Sequence, residues 1–117
     1  MTYDDGILKI YRVENVAEAG KKPVLKLYFK GRYYYHQETL GYGRYYAALN
    51  AGQRISAVFA VPGWEDIQAE DICVPEDGQQ YKVQITQRAK DEDGIQMTRI
   101  TLERLGETYG IAENREN

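Results

Sequence analysis

The chain has 117 residues, a net charge of −3 and one cysteine. That length suits a single domain able to bury roughly two-thirds of its unfolded surface, and a lone cysteine excludes an internal disulfide and fits a reducing compartment. No apolar run is long enough to span a membrane as a helix, and the opening Met1-Thr2-Tyr3-Asp4-Asp5 is too acidic to read as a secretion signal.

Residues 6–14 read as a first strand. Ile7, Tyr11 and Val13 share one parity and Leu8 and Ile10 the other, so both faces are apolar, as in a small closed or two-layer sheet. Residues 17–23, with Gly20 and Pro23, read as a loop. Residues 24–35 form a second strand with Leu25, Leu27, Phe29, Tyr33 and Tyr35 on one face and Lys26, Tyr28, Lys30, Arg32 and Tyr34 on the other; Gly31 marks a kink. Between His36 and Gln53 the alternation fails. Tyr42, Tyr45, Tyr46 and Leu49 fall on one helical face, which predicts a long excursion holding a helical turn or two.

Residues 54–61 return to strand, with Ile55, Ala57, Phe59 and Val61 on one face, and Pro62-Gly63 breaks it. An acidic connection follows, then a short strand at 71–74 ending before Pro75. Residues 79–88 and 95–105 make a hairpin around the polar turn at Asp93-Gly94. Tyr81, Val83 and Ile85 line one face of its first strand. In the second, Ile95 and Met97 oppose Ile100 and Leu102 in parity, which predicts a bulge near Thr98-Arg99. Residues 107–117 read as a frayed polar tail. The expected class is all-β: a small antiparallel barrel or sandwich of five to six strands in one domain, with one long loop containing a short helical turn.

Chemistry-bearing residues are sparse. His36 has no catalytic or metal partner nearby in sequence, and Cys73 sits in the apolar run Ile72-Cys73-Val74. Asp91-Glu92-Asp93-Gly94 lacks the spaced ligands and distal glutamate of a calcium loop, so it reads as a turn. Gly41-Tyr42-Gly43 lacks the rest of a phosphate loop. No nucleophile, base or metal set emerges, so the expectation is a protein without enzymatic activity, cofactor or metal.

Tyrosine and charge are unevenly spread. Tyr28, Lys30, Arg32 and Tyr34 would alternate rings and cations along one strand face. Such a face fits a protein interface, a plain barrel surface, or a platform for single-stranded nucleic acid. Residues 21–54 hold seven basic side chains against Glu38 alone, whereas residues 64–77 hold six acids and no base. These segments can pair within one molecule or between copies, which makes Glu65, Asp66, Glu70 and Asp71 candidate interface residues.

Several stretches resemble the head-closure (head–tail joining, or stopper) proteins of tailed bacteriophages and prophages. They are Tyr3-Asp4-Asp5-Gly6-Ile7-Leu8, Tyr45-Tyr46-Ala47-Ala48, Glu70-Asp71-Ile72, Asp77-Gly78-Gln79-Gln80-Tyr81-Lys82-Val83, Lys90-Asp91-Glu92-Asp93-Gly94 and Thr98-Arg99-Ile100-Thr101-Leu102-Glu103-Arg104-Leu105. Many members carry a tryptophan in the second strand, where this chain has Tyr33-Tyr34-Tyr35. The resemblance implies a small β-barrel protomer that assembles into a ring beneath the portal and adaptor, retains packaged DNA and docks the tail. Its implied partners are copies of itself, portal and adaptor proteins, tail-completion proteins and the double-stranded DNA of the channel, with no membrane. It implies a place in the virion neck, reached from the host cytoplasm during assembly. The 36–53 connection would then reach toward the channel with Tyr42, Arg44, Tyr45 and Tyr46. The alternatives are a single-stranded nucleic-acid binding module or another structural protein of the neck or tail end.

Overall fold

The computed structural model describes residues 2–39, 55–106 and 108–111. Among these the chain is all-β, with no helix and eight strands: β1 (Ile7–Asn15), β2 (Leu25–Tyr34), β3 (His36–Glu38), β4 (Ala57–Pro62), β5 (Ile72–Val74), β6 (Tyr81–Lys90), β7 (Gln96–Arg104) and β8 (Gly110–Ile111). They form one sheet in the order β3-β4-β7-β6-β5-β1-β2-β8, antiparallel except for the β2–β8 pair. β3 is first in that order and β2 last but one, yet only Tyr35 separates them along the chain. The sheet therefore curls until β2 and β3 are joined covalently, and a seam between β2 and β4 is left without ladder bonds among the described residues.

This agrees with the expected all-β class and corrects its strand number. There is one curled sheet, as a barrel requires and a two-layer sandwich does not, and among the described residues it has eight strands rather than five or six. The extra strands are His36–Glu38, within the expected excursion, and Gly110–Ile111, within the expected frayed tail. Each is too short for a periodic pattern and exists because a neighbour supplies hydrogen bonds: β3 pairs with Val58–Ala60 of β4, and β8 with Lys26 and Leu27 of β2. Gln80 also clamps the tail, donating from Nε2 to the Tyr109 carbonyl at 3.0 Å and accepting the Tyr109 amide at 2.8 Å. The expected helical turn and the loop residues Tyr42, Arg44, Tyr45 and Tyr46 lie outside the described residues.

Two one-residue insertions set which side chains face inward. Ile10 pairs with Gly31 and the next residue, Tyr11, pairs with Phe29, so Lys30 is an extra residue in β2. Val83 pairs with Leu102 while Ile85 pairs with Thr101, so Gln84 is an extra residue in β6. Because successive strand residues point to opposite faces, each insertion reverses the faces beyond it. Val83 is fully buried but Ile85 is exposed, although they share a parity. The bulge expected near Thr98-Arg99 in β7 is absent: those residues pair regularly with Arg88 and Gln87, and Met97 and Ile100 are both buried because β7 is covered on both faces. β7 itself runs without interruption along β4 from Met97 to Leu102.

The interior holds Leu8, Ile10, Tyr35, Phe59, Val61, Ile67, Cys73, Val83, Ile100 and Leu102, with Tyr35 and Phe59 stacked at 4.5 Å. Burying each large side chain of this set contributes roughly 1.5–3 kcal/mol. The other face of β1 and β2 carries a second cluster, Tyr11, Leu27 and Ile72, against which Val13, Phe29, Leu105 and Tyr109 pack. β1 serves both clusters because its neighbours cover it on both sides, which is why both its parities are apolar. Met97 and Thr101 are buried on the face of β7 opposite Ile100 and Leu102. The bidentate Arg99–Glu38 pair, at 2.7 and 3.0 Å, ties β7 to β3 across β4.

Candidate functional site

The polar groups that converge do so at the seam, where the bulge of β2 meets the 63–71 connection. Lys30, the inserted residue, donates from Nζ to Asp71 Oδ2 at 2.7 Å. The same oxygen accepts the Gln68 amide at 2.9 Å, and Asp66 Oδ2 lies 3.9 Å from the Lys30 ammonium. Asp71 is buried, Lys30 is largely so, and Asp66 is exposed. The connection is held in place by Thr98, whose buried hydroxyl donates to the Gly63 carbonyl at 2.8 Å and accepts the Glu65 amide at 3.0 Å. Gly63, with φ of 79°, makes the turn away from β4 that brings the connection back to the seam.

Tyr33 folds back over Gly31, where a β-carbon would meet its hydroxyl at 2.7 Å. Burial, and then the charges of Glu65, Asp66 and Asp71, raise the Tyr33 pKa, so its hydroxyl stays protonated beside them. Beside this cluster Ile7, Arg32, Tyr33, Tyr34, Pro62 and Glu65 line a shallow depression of about 350 Å³. It is open, and its lining pairs one guanidinium and one carboxylate with tyrosine rings, the composition of a contact surface.

The residues expected to form one basic–aromatic face do not share one. Tyr28 pairs across the ladder with Arg12, whose guanidinium lies 5.1 Å from its ring centre. Arg32 and Tyr34 pair with Lys9 and Ile7, which are on the opposite parity of β1 from Arg12. The Lys30 insertion between them reverses the face, and Lys30 itself turns to Asp71. The expected row of rings and cations is therefore split into Tyr28 on one side, Arg32 and Tyr34 on the other, and an ion pair between.

The acidic candidates also separate. Asp71 is used inside the molecule, Glu65 lines the depression, and Asp66 accepts from Gln68 Nε2 at 2.8 Å. Glu70 takes a left-handed φ of 77° and reaches Lys82 at 4.0 Å. His36 Nδ1 lies 3.5 Å from Asp5 Oδ2, which also accepts the Gln37 amide at 2.7 Å. Cys73 is buried, and burial pushes its thiol pKa far above the ordinary range, which removes its nucleophilic form. The Asp91, Glu92 and Asp93 carboxylates lie within 4.8 Å of one another. Asp91 Oδ1, however, accepts the Asp93 and Ile95 amides at 2.9 Å, which shapes the hairpin turn.

Sequence reasoning missed Thr98, Glu38 and Arg99, whose partners are 33 to 61 residues away. It also missed Asn15, whose side-chain oxygen accepts the Ala17 and Val24 amides and closes the β1–β2 loop. Of these only Asn15 carried a local signal, as a turn-forming residue at a strand end. No helix among the described residues is long and apolar enough to cross a membrane. No protein-family model matches the chain, and no curated protein matches it.

Proposed function

We propose that this chain is a head-closure protein of a tailed phage or prophage, working as a ring beneath portal and adaptor to retain packaged DNA and dock the tail in the virion neck. The carrying observation is the body itself: a curled all-β sheet in which the buried Lys30–Asp71 pair ties β2 to the 63–71 connection, beside an open depression lined by Arg32, Glu65 and tyrosine rings. A protein that works by docking needs a firm body that presents polar and charged groups to its partners. The resemblance of the 77–83, 90–94 and 98–105 stretches to head-closure proteins supplies the particular setting, and the all-β curled sheet agrees with a barrel protomer. On this reading the partners are other copies, the portal and adaptor, tail-completion proteins and the DNA of the channel, and no catalytic step is involved.

The test is direct. Folded protein in excess is mixed with purified portal–adaptor particles and the necks are imaged. A ring of added density is the expected result; bare necks overturn the proposal.

A further inference from the structure

The outer apolar cluster is closed by a short piece of chain. Tyr11, Leu27 and Ile72 are buried, and Leu105 and Tyr109 are among the side chains that pack over them. Tyr109 belongs to residues 108–111, which follow β7, pass Gln80 and end as β8 beside β2.

Few bonds hold this piece. Among the described residues β8 pairs with β2 at Lys26 and Leu27 alone, whereas β1 pairs with β2 from Ile7 to Asn15 and β6 with β7 from Tyr81 to Lys90. β8 is the last strand of the sheet, both its residues are exposed, and its pairing is parallel, the slightly weaker kind per residue. Gln80 does what a longer ladder would do. Its Nε2 donates to the Tyr109 carbonyl and its Oε1 accepts the Tyr109 amide, so one side chain satisfies both backbone groups of the residue whose ring covers the cluster. The Leu105 amide donates to the Gln80 carbonyl at 3.1 Å, which fixes the chain where it leaves β7. Beyond that point the piece depends on one side chain, one ring and two ladder residues.

The same residues wall a groove. Ile111 and Gln80 line it together with Ile7, Tyr11 and Val74, in a volume of about 470 Å³ along the outer face of β1. Tyr11 and Val74 belong both to the groove and to the covered cluster. Lifting residues 108–111 would therefore remove one wall of the groove and uncover the cluster in a single movement. Segments with few ladder bonds and exposed residues open at a lower free energy than the body that carries them.

We infer that residues 108–111 form a releasable strap, latched by Gln80, whose opening exposes the apolar surface of Tyr11, Leu27 and Ile72 while the rest of the sheet stays folded. The strap is a conformational device of the fold itself and does not depend on the proposed closure role. Gln80 is its positioning residue: it acts on the cluster only through the backbone of Tyr109.

Native-state hydrogen exchange on the full chain tests it, beside the fluorescence of an anilinonaphthalene sulfonate dye that reports exposed apolar surface. In wild type the Gly110 and Ile111 amides should exchange faster than those of β6 and β7. Gln80→Ala should open the strap about tenfold more often, ~1.4 kcal/mol, which two neutral hydrogen bonds can supply. The change is read at Gly110 and Ile111 rather than at Tyr109, which the substitution touches directly. Exchange in β6 and β7 should stay as in wild type, and dye fluorescence should rise. A lock separates opening from general loosening. Lys26 and Gly110 are ladder partners, so Lys26→Cys/Gly110→Cys should join under oxidation, leaving the buried Cys73 out. In the Gln80→Ala background the oxidised lock should return exchange and dye fluorescence to wild-type levels, and reduction should release them again. Unchanged circular dichroism checks that each variant folds. Four results overturn the strap: exchange at Gly110 and Ile111 no faster than in β6 and β7, a Gln80→Ala protein that exchanges there as wild type does, cysteines that do not join, or a locked protein that still takes up dye.

Discussion

Lys30 and Asp71, 41 residues apart in sequence, meet at 2.7 Å inside one molecule and join the basic stretch of β2 to the acidic 63–71 connection. Asp71 Oδ2 also holds the Gln68 amide, so the carboxylate both receives the ammonium and shapes the connection. Removing Lys30 leaves the Asp71 charge buried without a cation, and removing Asp71 leaves Lys30 only the exposed Asp66 at 3.9 Å.

Asp71→Ala is therefore expected to lower unfolding stability by about 3 kcal/mol, and Lys30→Met by somewhat less, because Lys30 retains some exposure to water. The double variant Lys30→Met/Asp71→Leu should cost less than the two single changes added together, with a coupling above ~1 kcal/mol. Urea unfolding of the four proteins measures this. Strict additivity would show that the pair is not a unit.

Thr98 makes two hydrogen bonds from a fully buried position, to the Gly63 carbonyl and from the Glu65 amide. Thr98→Val keeps the shape and removes both, which should cost about 1–3 kcal/mol. Amide hydrogen exchange at Glu65 should accelerate in the variant while the β6–β7 amides change only with global stability. Unchanged protection at Glu65 would mean that the hydroxyl does not hold the connection.

Gly6 has φ of 135°, and a β-carbon there would run into the Glu76 side chain, whose carboxylate accepts the Ile7 amide at 2.8 Å. Gly6→Ala must strain the backbone and displace that carboxylate, for an expected loss of about 1–3 kcal/mol. Thermal unfolding reads it directly; a variant as stable as wild type would show that the N-terminal segment can settle elsewhere at no cost.

Tyr81 donates its hydroxyl to Asp77 Oδ2 at 2.7 Å. Burial, and next the hydrogen bond to that carboxylate, push its pKa up to about 12. A raised phenol pKa favours the protonated form in the folded state. Its stabilisation is complete below the unfolded value near 10 and is lost as pH rises toward 12. Tyr3, Tyr33 and Tyr35 shift in the same direction through burial and add to the alkaline loss. The informative quantity is thus a difference: between pH 10 and 12 the unfolding midpoint should fall more steeply for wild type than for Tyr81→Phe. Parallel curves would remove Tyr81 from the account.

Period-two alternation was enough to read the all-β class, the strands at 6–14 and 24–35 and the hairpin turning at Asp93-Gly94, because side-chain parity and turn chemistry are local properties of the chain. Gly94 does adopt a left-handed φ of 78° there. Facing was not local. Leu27 and Tyr33 share a parity yet enter different clusters, and Val83 is buried where Ile85 is exposed, because Lys30 and Gln84 are each one residue too many for the strand opposite. Gly31 marked an irregularity beside Lys30 but nothing marked one at Gln84, and which residue is the extra one is defined only by the partner's register. The same holds for the seam, since neither Lys30 nor Asp71 carries any mark of the other. Folding brings them together by curling the sheet until β2 and β3 meet through Tyr35, a closure set by the pairing of all the strands at once and by no local run of residues.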